Sequence, residues 1–174
     1  MNQTNQPVRA AFTLVEIIAA TAIMAVLTTS SFAIVRTAHS AWSRHRSDSE
    51  QRREAVAALQ HIVRRVRQAT AVAAISPPGD FSGSLTVLMP NGTSAIWDHD
   101  APAKRINFGT VTANNLLAAG ITEMNCIALA ANGTTQATAP DLAHSIRCTL
   151  KYTLSRPTGS VTETVTGLAW LRAW

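Results

Sequence analysis

The chain has 174 residues, of which 47% are hydrophobic and only 14% charged, and it carries a formal net charge of +5. This length fits one domain with a terminal appendage, and the charged fraction lies below the roughly one quarter that is usual in soluble domains. The sequence contains no Gly-rich phosphate loop and no Ser-His-Asp or Cys-His arrangement, and the spacing of its two cysteines matches no zinc or redox motif. We therefore predict a protein that is not an enzyme and needs no cofactor.

The N-terminal part of the chain divides into a polar leader and an apolar segment. Residues 1–11, MNQTNQPVRAA, are polar, whereas residues 12–35 contain a single charge, Glu16. A helix over residues 12–35 would be about 36 Å long, enough to cross the ~30 Å hydrocarbon core of a membrane. The hydroxyl residues at 28–31 lower the hydropathy, but their side chains can bond to carbonyls of the same helix. We predict a transmembrane or signal segment.

The next segment is basic and has helical periodicity. Residues 36–67 hold the whole excess of positive charge, and their eight arginines are Arg36, Arg44, Arg46, Arg52, Arg53, Arg64, Arg65 and Arg67. Apolar residues recur there at steps of four and three, at Ala55, Leu59, Ile62, Val66 and Ala69. We predict an amphipathic helix over residues 36–75, ended by the Ser-Pro-Pro-Gly-Asp sequence at 76–80.

The remainder of the chain, residues 76–174, has the character of a β structure. Short runs rich in β-branched residues are separated by turn signals, among them Asn-Gly at 91–92 and 132–133. Between residues 146 and 154 apolar and polar side chains alternate strictly, which is typical of a strand with one buried face. We predict an antiparallel sheet and an α+β fold class.

The apolar segment admits three interpretations. A secretory signal peptide would use Arg9 as its positive flank, but its apolar region usually has only about 7–15 residues. A plain membrane anchor would place the C-terminal part in the cytoplasm under the positive-inside rule, because the arginines after the segment outnumber Arg9. Neither interpretation explains Glu16, since an ionised side chain at membrane depth is costly and usually has a partner.

The third interpretation begins with residues 11–16, Ala-Phe-Thr-Leu-Val-Glu. Together with the leader and the long apolar run, they resemble the prepilin-type cleavage and methylation motif of type IV pilins and type II secretion pseudopilins, with Ala11 where glycine is usual. The resemblance implies that a prepilin peptidase cuts between Ala11 and Phe12 and then N-methylates Phe12. The implied peptidase contacts beyond the cut are Thr13, Leu14 and Val15.

The resemblance also supplies a partner for Glu16. Cleavage creates a cationic amine on Phe12, four residues earlier, so both groups can lie on one helix face. If the Glu16 carboxylate of one subunit meets the Phe12 amine of a neighbour, each charge is paired only on assembly, and the pair fixes the register of the helices. Small residues of the segment would let helices approach closely, namely Ala19, Ala20, Ala22 and Ala25.

The branch within the family is indicated by the second half of the helix. The pattern formed by Leu59, Val63, Arg64, Val66, Arg67 and Ala69 resembles that of the minor pseudopilin J and minor pilin W-type group. Membership would imply a pilin-like α+β fold in four parts: a leader (1–11), a transmembrane and assembly helix (12–35), an amphipathic helix (36–75) and a periplasmic β-rich domain (76–174). The implied partners are other pilin or pseudopilin subunits, the prepilin peptidase, the inner membrane and the assembly platform of the secretion system.

Other candidate sites are weaker. Asp98, His99 and Asp100 fit a solvated turn better than a metal site, because adjacent side chains point in alternating directions. His61 is expected to lie on a surface or interface. The arginines lack interleaved aromatic residues, which favours contacts with lipid headgroups or acidic subunits over nucleic acid. Cys126 and Cys148 are either a disulfide, worth roughly 3 kcal/mol, or two separate buried thiols.

Overall fold

The structure is a computed structural model and describes residues 12–156 and 159–172. Two compact units meet along the chain between His45 and Arg46. In the first unit, the described residues from Leu14 onward form one helix, α1 (Leu14–Gln68), which continues into the second unit. All strands belong to the second unit.

Within the first unit, local hydrogen bonds explain where the helix begins and why its hydroxyl residues are tolerated. Thr13 precedes the first helical residue, and its Oγ1 accepts a hydrogen bond from the Glu16 N–H at 3.3 Å, as an N-cap does. Farther on, Thr28 Oγ1 donates to the Met24 carbonyl at 2.7 Å and Ser30 Oγ to the Val26 carbonyl at 2.8 Å. The predicted bonds from hydroxyls to carbonyls of the same helix are confirmed.

The second unit contains two antiparallel sheets. A five-stranded sheet has the order β1-β2-β3-β4-β5, and a three-stranded sheet has the order β6-β7-β8. The strands are β1 (Ala71–Ile75), β2 (Ser84–Leu88), β3 (Ser94–Asp100), β4 (Arg105–Gly109), β5 (Asn115–Ala119), β6 (Ile121–Leu129), β7 (Ser145–Arg156) and β8 (Gly159–Trp170). One turn of 3₁₀ helix, Pro140–Leu142, lies before β7.

The core lies where the second half of α1 packs on these sheets. The buried residues of α1 are Ala55, Ala58, Leu59, Ile62 and Val66, and all but Ala58 belong to the predicted stripe. Ala69, the last residue of that stripe, is buried just beyond the end of the helix. Gly167 of β8 allows close packing, because a Cβ atom at that position would lie 3.0 Å from Val63 Cγ2 and 3.2 Å from Leu59 Cδ1. The predicted α+β arrangement, a long N-terminal helix packed on antiparallel strands, is confirmed and is consistent with a pilin-like fold.

The predicted end of the helix is wrong. The helix ends at Gln68, and residues 71–75 form β1 instead of the last turns of α1. The Thr70 N–H donates to the Leu88 carbonyl at 2.8 Å, and β1 then pairs antiparallel with β2. This strand exists because of its partner strand, since its Ala-rich sequence has no strong strand preference of its own.

The strand predictions are confirmed elsewhere, with one omission. In β7 the residues at 146, 148, 150, 152 and 154 are all buried, as the alternation predicted. Gly92 and Gly133 have φ values of 78° and 69°, a conformation that tight Asn-Gly turns require. The fifth strand, β5, was not predicted, and the strands form two sheets where one was expected.

Candidate functional site

The residues of the motif lie at an exposed helix start. Phe12 is 76% exposed, Leu14 76% and Val15 74%. Glu16, in the first turn of α1, is also exposed, and its backbone N–H bonds to Thr13. Ala11 and the leader lie outside the described residues. Thr13, an implied peptidase contact, thus also caps the helix, and the Thr-x-x-Glu spacing is a sequence signature of such an N-cap.

The first half of α1 is an apolar surface that its own unit leaves uncovered. Its most apolar window of 18 residues has a mean hydropathy of 2.0, and none of that window is buried. Ile17, Ile23 and Phe32 are between 54% and 69% exposed. Of the helices in the described part of the chain, α1 is long and apolar enough to cross a membrane. The segment is compatible with a single-pass membrane anchor.

The second half of α1 carries what we call the arginine stripe, formed by Arg53, Arg64 and Arg67. All three side chains are exposed, and their spacing of eleven and three residues places them on one face of the helix. Residues 12–156 and 159–172 contain four ion pairs, and none of them includes an arginine of the stripe. Because no carboxylate within the described chain neutralises it, the stripe can bind an acidic surface.

Four other charged residues of this part of α1 have partners within the second unit. Arg46 pairs with Glu50 at 3.0 Å, and Asp48 pairs with Arg156 at the end of β7. Glu54 Oε2 accepts a hydrogen bond from the Ala119 N–H at 3.0 Å and so fixes the end of β5 against the helix. Of the eight arginines at 36–67, Arg46 is therefore the one that has a carboxylate partner among the described residues.

His61 anchors α1 to the five-stranded sheet. Its Nδ1 accepts a hydrogen bond from Trp97 Nε1 at 3.3 Å, and its ring meets the Phe108 ring edge to face with centroids 4.6 Å apart. Burial, followed by the positive charges of Arg65 and Arg64, lowers the pKa of His61 below its ordinary value. Sequence reasoning placed His61 at a surface or interface but missed Trp97, since no local pattern links residues that are 36 positions apart.

The Asp98-His99-Asp100 triplet lies within β3, where successive side chains alternate between faces. His99 is buried and its Nε2 lies 3.0 Å from the Ile121 carbonyl, whereas Asp100 pairs with Arg105 at 2.9 Å. Among the residues that the structure describes, no three His, Cys, Asp or Glu side chains are grouped as metal ligands. The triplet lies in a strand and not in the predicted turn.

Cys126 and Cys148 are brought together in the three-stranded sheet. They are paired across β6 and β7, both are buried, and the Cys126 thiol donates to Cys148 Sγ at 3.0 Å. The hydrogen bond with Cys148, followed by burial, raises the pKa of Cys126 well above its ordinary value. The two thiols are therefore adjacent and not separate, and the raised pKa favours the protonated form of Cys126.

These surfaces do not form a catalytic constellation. They consist of an exposed apolar helix with one carboxylate near its start, an unpaired arginine stripe and a buried pair of thiols. Comparisons with protein-family models, with curated proteins and with solved structures found no match for the chain.

Proposed function

We propose that the chain is a structural subunit of a type IV pilin-like assembly, most similar to the minor pseudopilins of type II secretion systems. A prepilin peptidase removes residues 1–11 and methylates the new N-terminus at Phe12. The mature subunit is held in the inner membrane by residues 12–35, with its β-rich unit in the periplasm, and it joins a short fibre through its helix.

One observation carries this proposal. The Phe-Thr-Leu-Val-Glu sequence stands at the start of a helix whose apolar side chains are exposed along its first half. A plain anchor also exposes an apolar helix to lipid, and in it Glu16 would serve only the first turn of the helix, where an acidic side chain is favourable. A subunit that assembles through helix contacts uses both features, because the carboxylate finds a cationic partner in a neighbouring subunit.

The arginine stripe supports the same proposal. Arg53, Arg64 and Arg67 lie on the exposed side of α1, opposite the residues that pack on the sheets. Acidic side chains on neighbouring subunits would neutralise this line of charge, which runs for about 21 Å along the helix at 1.5 Å per residue. A duplex nucleic acid would need a broader basic surface, and the arginines lack aromatic side chains that could stack on bases.

The mature N-terminus provides the primary test. The chain is expressed in a host with a prepilin peptidase, extracted from the inner membrane and analysed by mass spectrometry of its N-terminal peptide. We expect a peptide that starts at Phe12 and carries one additional methyl group. A secretory signal peptide would be cut after a small residue, such as Ala41 in the Thr-Ala-His-Ser-Ala sequence at 37–41. A chain that keeps Met1, or that is cut after Ala41, contradicts the proposal.

The role of Glu16 requires a separate test. We expect that Glu16→Ala leaves membrane insertion intact and abolishes co-purification with partner pilins, because the Phe12 amine of the neighbour then has no counter-charge. Glu16→Gln keeps the size of the side chain and is expected to fail equally, whereas Glu16→Asp retains part of the assembly. Normal assembly of the Gln variant would contradict the proposed pairing of the Glu16 carboxylate with the Phe12 amine of a neighbouring subunit.

A further inference from the structure

We propose that Cys126 and Cys148 are the site of a cross-strand disulfide, formed by thiol–disulfide exchange while the sheet folds in an oxidising compartment. The inference goes beyond the assembly role, and it rests on the proposed function only for the compartment in which the bond forms. The strand register, the position of the two sulfur atoms and their burial support it.

The register of β6 and β7 places the two cysteines at the type of cross-strand position where opposed side chains are closest. Cys126 lies directly opposite Cys148 in the β6–β7 pair. Two positions before Cys126, the Met124 backbone N–H and C=O bond outward to the segment 81–83, and two positions after it the Ala128 carbonyl also bonds outward. Even-numbered backbone groups of β6 therefore face away from β7, so the cysteines form a non-hydrogen-bonded pair, in which side chains approach most closely.

The sulfur atoms are already in contact. The Sγ atoms are 3.0 Å apart, and the directly opposed backbone positions provide the Cα and Cβ separations that a disulfide spans. Closing the bond therefore requires a small side-chain movement and no change of register. The pair lies on the face of the sheet that packs on α1, since Gly167, the β8 partner of Cys148, lies against Leu59 and Val63.

The chemistry is an exchange of two thiols against one external disulfide. One cysteine loses its proton, and the resulting thiolate attacks a sulfur of an oxidant disulfide, either a small molecule such as oxidised glutathione or a protein oxidoreductase. The second cysteine, also deprotonated, then displaces the oxidant from this mixed disulfide. The two cysteines lose two protons and two electrons, the bond between Cys126 and Cys148 forms, and the oxidant leaves as two thiols.

Burial determines when this exchange takes place. Cys126 is 2% exposed and Cys148 1% exposed, so neither sulfur is accessible to an oxidant once the sheet and α1 have packed. The bond must therefore form during folding. Once formed, it is protected from reductants by the same burial, and it joins β6 to β7 across the connection that contains the 3₁₀ turn.

The first experiment tests the bond independently of the compartment. The full chain in detergent is unfolded with reductant, refolded in a buffer of reduced and oxidised glutathione, quenched with acid, and then denatured and treated with a maleimide. We expect intact mass spectrometry to show no maleimide adduct and a mass lower by two hydrogens than that of the reduced chain. Two adducts per chain would overturn the proposal.

Matched variants and a timing control sharpen this result. Cys126→Ser and Cys148→Ser should each yield one adduct under the same conditions and no loss of hydrogen. As a timing control, the chain is first refolded in reductant and only then exposed to oxidised glutathione. Because the sulfur atoms are then buried, its cysteines should stay reduced about 10-fold longer or more than those of a chain oxidised during refolding. Equal rates would contradict the conclusion that the bond forms before packing.

The second experiment separates the disulfide from the proposed function. Cells that express the full chain are acid-quenched and alkylated without reductant, and the location of the β-rich unit is determined in parallel by protease digestion of spheroplasts. A periplasmic unit without adducts is the expected result, and a periplasmic unit with two adducts overturns the disulfide. A cytoplasmic unit overturns the proposed function, and the refolding experiment then decides the disulfide alone.

Discussion

The two halves of α1 differ in what covers their apolar side chains. In the second unit the helix buries Ala55, Ile62 and Val66 against strands of its own chain, whereas the apolar side chains of the first unit are exposed. Exposed apolar surface of this extent marks a contact with lipid or protein. The comparison shows that one half of the helix serves the fold, whereas the other half leaves its apolar side chains exposed.

Truncating the same residue type in each half tests this division most directly. Ile62 is 1% exposed and Ile23 is 61% exposed. We expect Ile62→Ala to lower the free energy of unfolding of the second unit by about 2–5 kcal/mol, because it leaves a cavity beneath α1. Ile23→Ala should change it by less than about 0.5 kcal/mol. Denaturant unfolding in detergent, followed by the fluorescence of the buried Trp97, measures both, and equal losses would contradict the division.

The contact between α1 and β8 can be tested by overpacking it instead of leaving a cavity. The expected loss of stability is smaller. A side chain at position 167 would be forced against Val63 and Leu59, so Gly167→Val should lower the free energy of unfolding by about 1–3 kcal/mol. Thr166→Val places the same side chain on the exposed face of β8 and should change the stability by less than about 0.5 kcal/mol. If both variants unfold at the same denaturant concentration, α1 does not pack on β8 as described.

Most of the fold could be predicted because its signals are local. The spacing of Leu59, Ile62 and Val66 marks the buried face of a helix, and the alternation along β7 marks a half-buried strand. By contrast, β1 reads as helix because alanines dominate it and no breaker separates it from α1, and it becomes a strand only through its pairing with β2. Pairings between distant segments are not written in any short window of sequence.

The same distinction applies to the candidate site. The prediction from Phe12 and Glu16 uses a contiguous stretch of sequence and stays a prediction, whereas the unpaired state of the arginine stripe could not be predicted. Whether Arg64 meets a carboxylate depends on which residues of the strands lie near it, because Glu54 and Asp48 are about 15 and 24 Å away along the same helix. The contact of His61 with Trp97 and the adjacency of the two thiols likewise depend on tertiary structure.

The anchoring of α1 by His61 predicts a pH dependence that the exposed half of the helix lacks. Burial and neighbouring arginines lower the pKa of His61 below its ordinary value of 6.5, so the unfolded chain takes up the proton at a higher pH than the folded chain. The contribution of neutral His61 to the stability of the fold is therefore complete above about pH 6.5, and it is lost as the pH falls toward the lowered pKa. Protonation of Nδ1 also removes the acceptor for Trp97.

Measurement of this effect uses differences between variants. The stability of the wild-type chain relative to His61→Gln, from denaturant unfolding at several pH values, should decrease as the pH is lowered through 6.5. The matched variant His39→Gln, on the exposed half of the helix, should show no such trend. A constant difference between wild type and His61→Gln would show that His61 has the same pKa in the folded and unfolded chain.

Reversing the charge of the arginine stripe should have the smallest effect on stability and a large effect on assembly. Because Arg64 and Arg67 are exposed and make no ion pair among the described residues, Arg64→Glu combined with Arg67→Glu should change the free energy of unfolding by less than about 1 kcal/mol. Co-purification with acidic partner subunits should nevertheless be lost, and the lysine pair should retain it in a salt-sensitive form. If charge reversal leaves co-assembly intact, the stripe is a solvated helix face, and the partner of the exposed half of α1 is recognised by the apolar surface and Glu16 alone.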